Sequence, residues 1–421
     1  MESPQNPLNI NTHRGPASRF VLRPFRVAHP YYSFKYIVSQ EGGCMDRRGF
    51  VTSGMAAGLA GITASGGTLG AFLNHAPGFS PGKKLANGDI RLSSNENPLG
   101  VSPAARDAII EAIVESNRYG GRRREVIAAL SSYVGVKPEQ ITLGFGSTEI
   151  LQICTQAFQG PNTPLIAAAP TFEDVMDYQD TMPFEVHTVP LTADLQHDVQ
   201  QMRDLSMKRP SVVYFCNPNN PTGTITASAD IDAWIAEAPE TTVFLMDEAY
   251  LEYVTDDRYW DSLKWIEQKP NVVVIRTFSK IFGMAGLRLG YAVTHETTAT
   301  RLQEHSIQNS PNVLAGAAAI ASLQDDGIVE RAITVNEEAK SIVHTTLNEL
   351  DLEYLPTNTN FIMHKINGDL PTYRNRMADA GLLVGRNFPP MLDHNRLSFG
   401  LPEEMDQWAS AIKDFRRKGW I

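Results

Sequence analysis

The sequence predicts an α/β protein: a mainly parallel, seven-stranded sheet domain flanked by helices, with a smaller α+β domain after it. Three observations predict this. Between Leu85 and Glu304, short apolar runs alternate with amphipathic stretches, which is the order of a sheet with helices on both sides. The runs are near-continuously apolar, as strands covered on both faces require. Beyond Glu304 the alternation stops and a long helical stretch takes over.

The predicted strands, in order, are Gln140–Leu143, Pro164–Ala168, Glu185–Val189, Ser211–Cys216, Thr242–Met246, Asn271–Thr277 and Leu289–Val293. Arg122–Val134, Thr148–Gln159 and Ala229–Ala238 carry helical periodicity between them. A long helical region is expected over Val313–Leu350, then short strands near Asn360–His364 and Arg396–Gly400. The expected division is an extension over 1–80, an arm over 81–121 joining the small domain, a large domain over 122–304 and a small domain over 305–421. No internal repeat is evident.

Composition narrows the function. The 421 residues are 42% hydrophobic and 20% charged, too apolar for a disordered chain. Lys and Arg total 37 against 47 Asp and Glu, a net charge of −10, which argues against a nucleic-acid partner. The three cysteines, Cys44, Cys154 and Cys216, have no paired spacing, so neither a disulfide framework nor a metal site follows from them.

Residues 1–44 show no periodicity. Met45-Asp46-Arg47-Arg48-Gly49-Phe50-Val51 then leads into a weakly apolar, Gly/Ala/Thr-rich stretch over Thr52–Leu73. Paired arginines before such a stretch are the twin-arginine export pattern. This predicts the twin-arginine machinery as a partner and a periplasmic or otherwise exported location. A glycine-rich linker and a cytoplasmic protein are the alternative. Gly54, Gly58, Gly61, Gly66, Gly67 and Gly70 interrupt the stretch, so no stable membrane span is expected.

Ligands of open α/β sheets sit beyond the carboxyl ends of the strands, and polar motifs collect there. Gly144-Phe145-Gly146-Ser147-Thr148-Glu149 is a glycine turn at a helix start, suited to cradling phosphate. Pro170-Thr171-Phe172 sets an aromatic plate. Asn217-Pro218-Asn219-Asn220-Pro221-Thr222-Gly223 is dense turn chemistry carrying an amide. Asp247-Glu248-Ala249-Tyr250 supplies an acid, and Phe278-Ser279-Lys280 a lysine with Arg288 eight residues on. Each taken singly is compatible with a turn, a cap or a solvated side chain. Together they suit pyridoxal 5′-phosphate, which needs an amine to hold it and a partner for its ring nitrogen.

From about Ile90 the chain resembles the class I/II, fold-type I aminotransferases, and most resembles their histidinol-phosphate aminotransferase branch. The resemblance rests on LSSNENPLG (Leu92–Gly100), GSTE, PTF, NPNNPTG, DEAY, TFSKIFGMAGLRLGY (Thr277–Tyr291), NFIM (Asn360–Met363) and RLSFG (Arg396–Gly400). It implies that Lys280 holds the cofactor covalently and moves the proton. It implies Asp247 at the ring nitrogen, Asn220 and Tyr250 at the ring oxygen, and Phe172 stacked on the ring. Ser147, Thr148, Thr277, Ser279 and Arg288 would bind the phosphate, and Arg396 would fork the substrate carboxylate. Tyr119 would reach the phosphate of a neighbouring subunit, which implies a homodimer with shared active sites.

Two departures bear on substrate. Tyr119-Gly120-Gly121, followed by Arg122-Arg123-Arg124, stands where the branch has Tyr-Pro-Asp. Val384 is followed by Gly385 before Arg386, where relatives place arginine directly after valine. Arg386 is thus expected either to bind a substrate anion or to form a surface salt bridge. The expected reaction is ping-pong transamination between an amino acid, or an amino-alcohol phosphate such as histidinol phosphate, and a 2-oxo acid. A decarboxylase or lyase on the same fold, or a non-catalytic cofactor-binding protein, are the alternatives.

Overall fold

Seven strands share one sheet in the order β2-β8-β7-β6-β5-β3-β4. They are β2 (Ile141–Gly144), β3 (Leu165–Ala169), β4 (Val186–Pro190), β5 (Ser211–Cys216), β6 (Thr242–Asp247), β7 (Val272–Thr277) and β8 (Gly290–Thr294). The computed structural model describes residues 88–421. The twin-arginine pattern, Met45 and Cys44 lie outside the described residues. β4, β3, β5, β6 and β7 run parallel, and β8 runs against both of its neighbours.

The continuous apolar runs have the cause assigned to them. Val213, Phe215, Phe244, Met246 and Val274 enter one core, while Val212, Tyr214, Leu245 and Val273 enter another. Successive residues of a strand face opposite sides, so both faces of the sheet are covered and every residue of β5 and β7 is buried. A third core lies among the C-terminal elements, around Leu382, Val384, Leu397, Trp408 and Ile412. There β9 (Phe361–Lys365) pairs antiparallel with β11 (His394–Ser398). Helices Ile328–Glu349 and Pro402–Arg417 contribute Val343, Leu347, Met405 and Trp408 to that core. The latter helix begins on Pro402 with Glu403 and Glu404 and ends with Arg416 and Arg417, complementing its dipole at both ends.

Three features add detail to the expected layout. The helical region over Val313–Leu350 consists of two helices, Val313–Leu323 and Ile328–Glu349. Asp325, Asp326 and Gly327 break it: the Asp325 carboxylate accepts from the Gly327 N–H at 3.3 Å, a local bond that competes with helix. Two three-residue strands, β1 (Ile90–Leu92) and β10 (Leu382–Val384), pair in parallel and tie the start of the described chain to its C-terminal part. Helix Pro103–Ala112, capped by the Ser102 hydroxyl, also lies in the stretch read only as an arm.

Register lines up the strand ends. Cys216 pairs with Asp247, and Thr277 with Gly290, which pairs onward with Gly144. The segments leaving β2, β5, β6 and β7 therefore emerge on one rim. Across that rim lies Leu92–Gly100, fixed by a hydrogen bond that Asn97 Nδ2 donates to the Ile281 carbonyl at 2.8 Å. Gly283 lies in the same contact. Its φ is +69°, and an added Cβ would stand 2.0 Å from the Gly100 oxygen. Gly283→Ala is therefore expected to cost about 2 kcal/mol or more in a urea titration. Gly286→Ala, whose methyl meets nothing within 4 Å, should stay within about 0.5 kcal/mol of the parent.

Candidate active site

The rim encloses a cavity of about 390 Å3. Of the sequence-predicted residues, Ser147, Thr148, Phe172, Asn220, Asp247, Tyr250, Thr277, Ser279, Lys280, Arg288 and Arg396 line it. Tyr119 and Arg386 do not. Tyr119 is 91% exposed and lines a separate groove with Gly120, Gly121 and Pro311. Arg386 is ion-paired with Glu173, the residue after Phe172. Arg122 pairs with Glu115, Arg123 starts helix Arg123–Val134 with a bond to the Ser310 carbonyl at 3.3 Å, and Arg124 is exposed.

At one end stands the start of helix Gly146–Phe158, which presents Ser147 and Thr148. Arg288 closes on it. An added Cβ at Gly146, where φ is +80°, would lie 2.3 Å from Arg288 Nη2. Only glycine lets the guanidinium approach this closely. Arg288 is itself left-handed, with Nη1 donating to the Ala285 carbonyl at 2.9 Å. Helix N–H groups, hydroxyls and a guanidinium form a donor set for a phosphate dianion.

Asp247 closes β6. One carboxylate oxygen accepts from the Tyr214 hydroxyl at 2.8 Å and the other from the Ala249 N–H at 3.2 Å. Burial pushes its pKa up to about 6, although both donors and Lys280 pull it back. Lys280 Nζ donates to the Asn95 carbonyl at 3.1 Å and lies 5.5 Å from the centroid of the Tyr250 ring. Burial, and then the charge of Arg396, lower its pKa to about 8, while Glu96 and Asp247 oppose the shift. Arg396 Nη1 donates to Asn220 Oδ1 at 2.7 Å and Nη2 to the Ser93 carbonyl at 2.8 Å. Its Nε is buried without a hydrogen-bond partner. With the amide oxygen engaged, Asn220 has only N–H donors to offer a ligand.

Two residues escaped the sequence reading. Asn95 is a hub: its side chain donates to the Tyr250 hydroxyl at 3.0 Å, its N–H to Ser398 Oγ at 2.8 Å, and its carbonyl receives Lys280. The signal available was the run Ser93-Ser94-Asn95-Glu96-Asn97, too polar for a strand end. Tyr214 holds Asp247 from the neighbouring strand. A tyrosine inside a wholly buried strand needs a hydroxyl partner, and that requirement could have pointed to the adjacent acid.

The donor set fits pyridoxal phosphate. The cradle at Gly146 and Arg288 suits the phosphate, buried Asp247 suits a protonated ring nitrogen, and the Lys280 amine suits the aldehyde.

Residues 87–412 match the family model described as aminotransferase class I and II. The histidinol-phosphate aminotransferase of Halalkalibacterium halodurans is 33% identical over 351 residues, covering 80% of this chain and 94% of its own. A crystal structure from Erwinia carotovora atroseptica matches with a TM-score of 0.78 at 34% identity, covering 82% of this chain and 100% of the other. The histidinol-phosphate aminotransferase of Sinorhizobium meliloti, solved in complex with pyridoxal-5′-phosphate, matches with a TM-score of 0.73 at 25% identity, covering 78% and 91%.

Because the folded-state pKa of Asp247 is raised, the folded protein keeps a proton that the unfolded chain releases between about pH 4 and pH 6. The buried carboxylate therefore weighs against folding increasingly as pH rises through that window, and fully above it. Cofactor-free Asp247→Asn is expected to gain melting temperature over the parent as pH rises from about 4 to about 6, and to hold that gain above it. A pH series of thermal melts on the two apoproteins reads this, and a gap that does not change with pH would contradict it.

Proposed function

The chain belongs to the class I and II aminotransferases and is a pyridoxal-phosphate-dependent transaminase, and on that footing we propose that it passes the amino group of an amino acid to a 2-oxo acid, the two occupying one cavity in turn. The observation that carries the reading is the convergence of Lys280, Asp247 and Arg396 on that cavity. Binding alone requires neither a base nor a carboxylate fork.

Bound there, pyridoxal phosphate supplies an aldehyde carbon for the amino group and an electron-withdrawing ring for the charge left by the departing α-hydrogen. The side chains do the rest. Lys280 Nζ, with its pKa near 8, is neutral often enough at physiological pH to act as nucleophile, and it takes or returns a proton at that nitrogen. Asp247, ionised, would pair with a bound ring nitrogen and favour its protonated form. Ser147, Thr148, Thr277, Ser279 and Arg288 would hold the phosphate, and Phe172 would stack on the ring. Asn220 and Tyr250 would donate to the ring oxygen. Arg396 forks the substrate carboxylate, and its bond to Asn220 links that fork to the cofactor side of the cavity. A phosphate monoester satisfies the same kind of fork. An amino-alcohol phosphate such as histidinol phosphate, the compound in the relatives' names, is therefore the second donor class.

The working form is a homodimer with shared sites, in which Tyr119 reaches the partner's phosphate cradle. Its near-complete exposure beside a groove, with exposed Ile113, Val114 and Ile307, supports this. The protein is exported to the periplasm by the twin-arginine route on the strength of Arg47 and Arg48.

Lys280→Ala is expected to abolish turnover of every amino donor, a loss of at least about 10^3-fold, while cofactor is retained non-covalently. Absorbance spectra before and after borohydride treatment, with an amino-acid panel assay, check this; normal turnover would overturn the assignment. Replacing Arg47 and Arg48 by Lys should hold the protein in the cytoplasm, read by cell fractionation.

A further inference from the structure

The strand that carries the carboxylate fork also sets the direction of two hydrogen-bond donors. Arg396 and Ser398 stand two apart on β11, so both project from the same face of it. Arg396 fixes which end of the Asn220 amide is free, because its Nη1 occupies Oδ1 at 2.7 Å. Ser398 does the same for a second amide. Its hydroxyl receives the Asn95 N–H at 2.8 Å and gives its own proton to Asn95 Oδ1 at 2.8 Å. With that oxygen taken, Nδ2 is left to meet Tyr250, and it donates to the tyrosine hydroxyl at 3.0 Å. An amide nitrogen does not accept, so the Tyr250 oxygen is the acceptor of this bond and its own proton is free for another group. Among the described residues no other hydrogen bond engages that hydroxyl. Asn95, Tyr250 and Ser398 are each at most 3% exposed. Turning the amide over would aim two donors at Ser398 Oγ and leave the serine proton to seek a new acceptor with almost no water at hand. The Tyr250 ring is steadied separately: Phe361, the cross-strand partner of Ser398, meets it edge-on with centroids 5.3 Å apart. Burial raises the Tyr250 pKa, against the pull of Arg396 and of the Asn95 bond, so the hydroxyl keeps its proton at neutral pH. Asn95 has a φ of +52°, a left-handed conformation that Asn and Asp adopt more readily than most residues.

We propose that Ser398 and Asn95 are positioning residues for Tyr250: the serine orients the amide, the amide takes the tyrosine oxygen as its acceptor, and the tyrosine proton is thereby turned toward the ring oxygen of bound pyridoxal phosphate. This deepens, and rests on, the reading of Tyr250 as a donor to that oxygen. A hydroxyl with no fixed partner divides its proton among neighbours. This one has its direction set beforehand, so nothing has to reorient when the coenzyme arrives. A donor there stabilises the negative charge that the ring oxygen bears once the nitrogen shared by Lys280 and the coenzyme has lost its proton. It therefore lowers the pH at which the bound coenzyme changes absorbance.

The test is a pH titration of coenzyme absorbance in the holoenzyme, run as two double-mutant cycles. Tyr250→Phe is expected to raise the midpoint by about one unit, the worth of one hydrogen bond to a charged oxygen. Asn95→Asp is nearly isosteric and suits the same backbone, but it offers the tyrosine an acceptor in place of a donor and so captures its proton. In the parent it should raise the midpoint by about one unit, plus the contribution of its own charge. In the Tyr250→Phe background only the charge contribution remains, so the same substitution should shift the midpoint by about one unit less. Ser398→Ala adds no charge. It should raise the midpoint by a smaller amount in the parent and leave it unchanged in Tyr250→Phe. A merely structural role would give equal shifts in the two backgrounds. Equal shifts, or no shift in the parent, overturn the proposal. Should Ser398→Ala yield no folded holoenzyme, the Asn95→Asp cycle decides alone. No rise on Tyr250→Phe by itself would instead count against Tyr250 as the ring-oxygen donor, and against the relay with it, whereas a rise there without coupling sinks the relay only.

Discussion

The site depends on keeping unlike charges in a place that water has mostly left. Asp247 and Lys280 are each displaced from their ordinary ionisation by burial, and each partly restores the other. Neither would be useful in water. A surface lysine is protonated at neutral pH and cannot attack, and a surface carboxylate spreads its field into solvent. The Tyr214 hydroxyl and the Ala249 N–H offset part of the cost of holding the carboxylate, and the Asn95 carbonyl does the same for the amine. The doubly covered sheet, with its wholly buried central strands, supplies the dry setting in which these few bonds carry weight.

Around that pair the structure places rigid connections. Strand register delivers Cys216, Asp247 and Thr277 to one edge, so the chemistry hangs from neighbouring strand ends rather than long loops. Asn97 and Gly283 clamp the Leu92–Gly100 segment to the lysine turn. The bond from Arg396 to Asn220 joins the two sides of the cavity. Any ligand group that engages Arg396 must share its guanidinium with that amide.

Much of this was legible in the sequence, for physical reasons that can be named. Ser211–Cys216 was bounded to the residue because a strand buried on both faces is apolar throughout and ends where turn chemistry begins. Eleven of the thirteen expected site residues line one cavity, ten of them following strand ends that converge on one rim of the sheet and the eleventh, Arg396, reaching it from β11. What was missed needed information beyond local pattern. Three-residue strands such as Ile90–Leu92 leave no periodicity to read. The break at Asp325–Gly327 is a competition between an Asp side chain and the helix, decided by one hydrogen bond. Asn95 and Tyr214 matter through partners on other segments, and the pairing of Arg386 with Glu173 joins residues 213 apart.

Asn95 and Ser398 bond to each other although 303 residues separate them. Closing a loop of that size carries an entropic cost that only tertiary packing can offset. The pocket is therefore not a property of the sheet alone: the lysine turn, the β1–β10 pairing and the final strand must all have met before the Asn95 carbonyl stands where Lys280 needs it. Half-finished chains, including any released early from the ribosome, lack the acceptor that steadies the amine. The yellow colour of captured coenzyme would thus serve the cell, and the bench, as a certificate of completed topology.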